Sequence, residues 1–349
     1  MRKLAILLFG VVSIACNRNQ DNAELQELSA MRLCALEQDD KPIGEVNSMT
    51  VVNDSILLLT TGSDVMQYSV SGKYIGDFGY KGRAIGEYSM PMKVRSDGEN
   101  IYVWDAMGLK FLRYDKDANF VDEYPYPSAL KDFILCEDKI VIYTAGIRED
   151  SLIDIYDTDS KTIVKSLTES SPSQRVFNSI STYPVCIDHG TLYYMPCCEL
   201  KLYTYDLNKD DEEKCLCTIK SDSFNVPKVN DEEALLSKRS KLSKFYDEAS
   251  SVLMVAPMNN GFEILTCEGV YYRENGQRKF DKRHYVFYQI DENGKVIARN
   301  EIPYDNFESK SAVSLCGDNL YFLKKHTTDN EESHILFRHT FALDKRGQI

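Results

Sequence analysis

Ile101-Tyr102-Val103-Trp104-Asp105, followed by Phe111-Leu112-Arg113-Tyr114-Asp115-Lys116-Asp117-Ala118-Asn119-Phe120-Val121, decides the fold of this chain. Two β-branched and aromatic runs are separated by a short link, and the second ends in an Asp/Asn turn before a third run begins. The same order recurs along the sequence. Its first half is a hairpin: Val51 to Leu58 around Asn53-Asp54, Val94 into Ile101 around Asp97-Gly98, Ile134 to Ile142 around Glu137-Asp138, Val185 to Tyr193 around His189-Gly190, Met254 to Leu265 around Asn259-Asn260-Gly261, and Val313 to Leu323 around Gly317-Asp318-Asn319. Asp, Asn and Gly tolerate the positive φ that a tight hairpin needs. Its second half carries an aromatic or aliphatic anchor at Tyr68, Tyr114, Tyr156, Tyr205, Ile290 and Leu343. Most anchor spacings suit one four-stranded propeller blade of roughly 40 to 50 residues. The chain therefore predicts an all-β, six-bladed propeller of four-stranded antiparallel blades.

The long interval between Tyr205 and Ile290 has room for a seventh blade. Within it, Leu235, Leu236, Leu242, Phe245 and Tyr246 recur at helical spacing among Lys, Arg and Glu. A helical insertion at about 228–249 accounts for the excess and leaves one blade with a long turn around Arg273 to Arg283. After Leu343 too few residues remain for a last strand. A ring must close its final sheet, and Met31-Arg32-Leu33-Cys34-Ala35-Leu36 is the free strand-like segment that can do so.

The formal net charge of −13 and the absence of any clustered Lys/Arg stripe exclude nucleic acid as an expected partner. At the N-terminus, Arg2-Lys3 precede the apolar run Leu4 to Val12 and then Ser13-Ile14-Ala15-Cys16. That order is a secretory signal, too short to span a bilayer as a mature helix. Small residues before Cys resemble the lipobox of bacterial lipoproteins, with Ser13 where Leu is usual. The expectation is a signal peptide over 1–15, lipid attachment at Cys16, a polar tether over 16–27 and one propeller domain over 28–349. The expected address is the cell envelope, on the outer membrane, because Asn17 rather than Asp follows the cysteine. Cys197-Cys198 and Cys215-Leu216-Cys217 lack the spacing and the nearby His of a metal site. Most other cysteines read as small buried hydrophobes, with one disulfide between those two groups as an alternative.

Asp115-Lys116-Asp117-Ala118-Asn119 has the oxygen spacing of a calcium loop, but Phe120 stands where such a loop needs Gly. Equivalent turns at Asp157, Asp206, Asp291 and Asp344 make a strand-connecting turn the simpler reading. Phe78-Gly79-Tyr80-Lys81-Gly82-Arg83-Ala84-Ile85-Gly86-Glu87-Tyr88-Ser89-Met90-Pro91 is glycine-rich, yet a strand and not a helix follows it, so it is no phosphate cradle. Residues 78–121 instead resemble TolB-like six-bladed propeller lipoproteins, relatives of the NHL-repeat propellers. In those proteins an FG…G…GE[FY]…P run precedes a blade reading IYV.D…..[FY]D; this chain departs at Ala84-Ile85, where Gly-Pro is common. The resemblance implies a six-bladed ring and an envelope lipoprotein, and it implies no activity.

There is no Gly-x-Ser-x-Gly elbow, and His189, His284, His326, His334 and His339 show no ligand spacing. No catalytic residue, metal ligand or cofactor is expected. The functional expectation is a non-catalytic binding or scaffold lipoprotein that holds a protein, peptide or glycan at one mouth of the ring. Arg83, Glu87, Tyr88, Trp104 and Asp105 are the candidate ligand-facing residues, all from the best-defined inter-blade segment. The rival is a propeller hydrolase or lyase with a metal in the central channel, which several blades would assemble without a linear motif.

Overall fold

The computed structural model describes residues 31–37, 41–144, 151–176, 184–209, 212–258, 260–275, 277–279, 282–303, 313–316, 319–328 and 331–340. The leader, Cys16, the whole tether, Asn259, Gly317-Asp318, Leu343 and Asp344 lie outside them. Six four-stranded antiparallel sheets form the blades of a propeller. Blades 1 to 5 each take four strands in chain order, over 48–77, 91–125, 132–169, 185–218 and 251–303. Blade 6 takes Val313–Cys316, Asn319–Thr328 and Glu331–Thr340, with Met31–Ala35 as its outermost strand.

The first strand of each blade lies on the axis. Ser48–Val52 packs against Pro91–Ser96 and Val313–Cys316, and Asp132–Cys136 packs against Pro91–Ser96 and Val185–Asp188. Between neighbouring blades sits one apolar cluster, six in all. The junction of blades 1 and 2 holds Leu58, Val65, Val103 and Leu112, and that of blades 5 and 6 holds Leu253, Phe287 and Phe322. Because a blade packs on both faces, its central strands read as continuous apolar runs such as Ile56–Thr60 instead of alternating.

The turns are made as the sequence predicts. Asn53 and Asp54 adopt φ of 49° and 51°, and His189-Gly190 adopt 46° and 73°. Asp115 Oδ1 accepts from the backbone N–H groups of Asp117 and Asn119 at 2.9 Å, and Asp291 Oδ1 accepts from those of Asn293 and Lys295. These carboxylates are spent on their own turns. The insertion between blades 4 and 5 carries helices at Glu232–Leu236 and Arg239–Glu248, where helical spacing places one. Asp231 caps the first by accepting from the Ala234 N–H at 2.9 Å. The long turn in blade 5 contains its own hairpin, Tyr272–Glu274 with Gln277–Lys279.

Met31–Ala35 pairs antiparallel with Glu331–Thr340, with Met31 opposite Arg338 and Ala35 opposite Ile335. The ring closes through its two chain ends, and Leu36 extends the pairing by donating to His334 O at 2.8 Å. Deleting residues 31–36 from the folded body exposes the whole edge of Glu331–Thr340. The truncated protein is expected to be cut rapidly within 331–340 by a non-specific protease and to self-associate in light scattering, whereas the full body resists both.

Candidate functional site

The two ends of the ring are built differently. At one end, adjacent strands are joined by short turns: 53–55, 97–99, 137–138 and 189–190. At the other, where each axial strand begins, blades are joined by longer segments. These include 78–90, the short helix Pro172–Val176 and the two-helix insertion, and the hairpin at 272–279 opens from the same end. Variable additions gathered at one end of a rigid scaffold are where a propeller carries its binding surface.

At this end blades 1, 2 and 3 are tied by Arg95. Its Nη2 donates to both carboxylate oxygens of Asp132 at 2.6 and 2.7 Å, and its Nη1 donates to Ser48 Oγ at 2.9 Å, Met49 O at 3.2 Å and Val94 O at 2.7 Å. Arg95 and Asp132 are both buried, so each charge depends on the other. The Phe133 N–H also donates to Asp132 Oδ1 at 2.8 Å, which completes the carboxylate.

Lys93 stands on the same axial strand, two residues nearer the mouth, and its ammonium reaches only Asn47 O, at 3.4 Å. It is half-buried. Crowding by protein lowers its pKa to about 8; the Arg95 and Lys131 charges add to that fall, and Asp132 opposes it. Lys131 immediately precedes the axial strand of blade 3, and its backbone N–H donates to Tyr143 O at 2.9 Å. Burial lowers its pKa too, with Cys197 in electrostatic reach. Neither lysine forms an ion pair among the described residues.

Beside Lys131 lies a polar wall. The Tyr143 hydroxyl accepts from Gln174 Nε2 at 2.6 Å and from the Cys197 N–H at 3.2 Å, and Cys198 Sγ donates to Gln174 Oε1 at 3.3 Å. The insertion packs over this wall through Val176, Cys197, Cys198, Phe245 and Ala249. Arg175 clamps it, with Nη2 2.8 Å from Glu232 Oε2. The hydrogen bond with Cys197 and burial hold the Cys198 thiol well above the ordinary range, so it is no thiolate nucleophile at neutral pH. Cys197, Cys198, Cys215 and Cys217 form no disulfide with one another, and Cys215 and Cys217 lie on the outer strand of blade 4. Cys186 and Cys267 are buried, as strand positions predict, whereas Cys136 is only half-buried.

Most of the residues singled out from sequence are used in the scaffold. Trp104 is 1% exposed, with ring centroids 4.8 Å from Phe111 and 5.9 Å from Tyr126. Tyr88 is equally buried; its hydroxyl donates to Phe78 O at 2.9 Å and accepts from the Val65 N–H at 3.4 Å. Neither side chain faces solvent: both pack between blades. Glu87 accepts from the Ala84 N–H at 2.9 Å and closes its own loop, while Arg83 is exposed. Asp105 is buried and accepts from the Met90 N–H at 2.7 Å, which fixes entry into blade 2. The glycines of this segment serve the same clasp. Gly86 has φ +78°, and a Cβ there would come within 2.7 Å of the Phe120 ring.

Lys93 and Lys131 were absent from the sequence reading. The signal available was a pair of cations, Lys93 and Arg95, alternating inside a strand that the repeat assigns to the axis. Glu268, a fully buried carboxylate, accepts from Ser221, Ser223, Thr266 and Tyr288, so its oxygens are saturated. Among the described residues no three His, Cys, Asp or Glu gather as a metal site, and no helix is long and apolar enough to cross a membrane.

Solved structures share this architecture. A Bacteroides fragilis protein whose name calls it exported matches with a TM-score of 0.62 at 14% identity, over 90% of this chain and 95% of its own. A member of the DUF4221 family from Bacteroides vulgatus matches with a TM-score of 0.66 at 11% identity, over 90% of this chain and 97% of its own. A looser likeness, with a TM-score of 0.46 at 10% identity, joins 88% of this chain to 98% of a virginiamycin B lyase from Staphylococcus aureus. At these identities the likeness concerns the fold alone. No curated protein sequence matches the chain. A family profile matches residues 9–339, nearly the whole length, and the chain belongs to that family, described as a domain of unknown function, DUF4934.

Proposed function

We propose that this protein is an exported, non-catalytic binding or scaffold lipoprotein, held in the bacterial envelope by acylated Cys16, that engages a protein, peptide or glycan at the strand-start mouth of its propeller. The observation that carries the reading is the asymmetry of the ring: tight turns at one end, and helices, a hairpin and lysines without a counter-ion at the other. The leader ahead of Cys16, the likeness of residues 78–121 to TolB-like propeller lipoproteins and the exported Bacteroides fragilis neighbour support export. Signal peptide 1–15, tether 16–27 and propeller 28–349 are the corresponding segments, and Asn17 favours the outer membrane. Arg83, exposed beside the mouth-side connection of blades 1 and 2, remains a contact candidate at the rim.

The test has two parts. Metabolic labelling with an alkyne fatty acid is expected to mark the wild type in the outer-membrane fraction and to leave Cys16→Ala unlabelled and soluble. Peptides and glycans of the envelope are expected to protect 126–131 and 195–200 from hydrogen exchange while leaving the turns at 53–55 and 137–138 unchanged. Metal-dependent turnover of an ester, lactone or glycan by the purified protein would replace this reading with the enzymatic one.

A further inference from the structure

We propose that Lys93 and Lys131 form a binding site for the carboxylate group of an acidic ligand, seated at the axial mouth between blades 2 and 3. The inference rests on the strand-start mouth being the ligand face and adds the chemistry that the mouth recognises.

The argument begins with charge. The chain carries −13 overall, and several other half-buried lysines find a carboxylate, as Lys110 finds Glu123 at 2.8 Å and Lys139 finds Asp138 at 2.8 Å. Lys93 and Lys131 do not. Asp132, the carboxylate nearest in sequence to Lys131, is already consumed by the Arg95 fork and the Phe133 N–H. The four ionisable groups Lys93, Arg95, Lys131 and Asp132 therefore leave a surplus of two positive charges at the strand-start mouth. Placing two like charges in electrostatic reach of each other, with reduced hydration, costs folding free energy. An anion that enters between them removes that cost and gains attraction strengthened by the low local polarity.

The ligand class follows from the donors. Arg95 has no free fork to offer a phosphate, because its Nη atoms already hold Asp132, Ser48 and two carbonyls. What remains is two ammonium point charges, which suit a compact singly charged oxyanion. The overall negative field disfavours polyanions. A carboxylate fits, whether from an acidic sugar or from the C-terminus of a peptide.

Minimal probes test this on the intact folded body. After reductive ¹³C-methylation of the lysines, acetate is expected to shift the Lys93 and Lys131 resonances saturably and to raise the Lys93 pKa from about 8, while neutral acetamide leaves both unmoved. Glucuronate and triglycine separate the two sources: the carriage that binds more tightly than acetate is the natural one, and the methyl ester or amide of each is expected to lose at least tenfold. Lys93→Met and Lys131→Met are each expected to weaken acetate binding at least tenfold and to raise the melting temperature of the free protein, since each removes half of an unbalanced pair. A structural role for either lysine would lower it. Linear, unsaturable shifts shared with the surface lysines, or equal effects of acetamide, overturn the proposal. If no carboxylate binds but larger neutral ligands protect the mouth from exchange, this inference falls and the binding function stands. If acetate saturates the site while no peptide or glycan protects the mouth, the reverse holds.

Discussion

Asp132→Ala is expected to lower the unfolding free energy by about 3–5 kcal/mol, the largest loss expected from any single polar substitution in the ring. The carboxylate is 1% exposed and Arg95 is 7% exposed, so removing one partner leaves a guanidinium stranded without water. The damage reaches three blades, because the same guanidinium also ties Ser48 and Met49 of blade 1 to its own strand. Asp132→Asn keeps one acceptor and is expected to cost about half as much. Replacing the pair together, as Arg95→Met with Asp132→Leu, is expected to recover most of the loss, since two apolar groups of similar volume need no mutual charge. Urea unfolding of the four proteins checks the ordering. A double variant as unstable as Asp132→Ala would show that the packing around the pair, and not the stranded charge, governs the site.

That pair marks the boundary of what the sequence made legible. The blades were readable because their turns are chemically specific: Asn53-Asp54, Asp115 to Asn119 and His189-Gly190 do in the structure what those residue types do anywhere. Ring closure by Met31–Ala35 was readable by elimination, from a last blade short of one strand. The helical insertion was readable because Leu235, Leu242 and Phe245 keep a helical period that no strand tolerates. Sidedness was not. A blade strand is covered on both faces, so Asn100–Asp105 is buried almost throughout and nothing in NIYVWD tells a core-facing Trp104 from a ligand-facing one. The short helix at Pro172–Val176 spans little more than one turn, too brief for a period to show. Arg95 and Lys93 look alike in PMKVRS. Only the third dimension shows that one is matched by Asp132 from the next blade and the other has no counter-ion.

Glu263→Gln is expected to stabilise the protein, and the gain is expected to grow with pH. Glu263 is 1% exposed on the second strand of blade 5, between Ala256 and Gln289 of the flanking strands, and its Oε2 has no hydrogen-bond partner. Burial drives its pKa up to about 8; the Gln289 side chain opposes the shift only in part. The folded state thus holds a proton that the unfolded chain releases near its ordinary value of about 4.5. Stability from the neutral carboxyl is fully present below that value and is lost as pH rises through about 8. Each pH unit in the window costs the wild type about 1.4 kcal/mol, so the variant is expected to match it near pH 5 and exceed it by about 3 kcal/mol at pH 7. Above pH 8 the difference levels off, because both states of the wild type are then ionised. Parallel urea titrations at pH 5, 7 and 9 measure this directly. A constant offset between the two proteins across that range would mean that Glu263 is ionised throughout and that water or a cation reaches it inside blade 5.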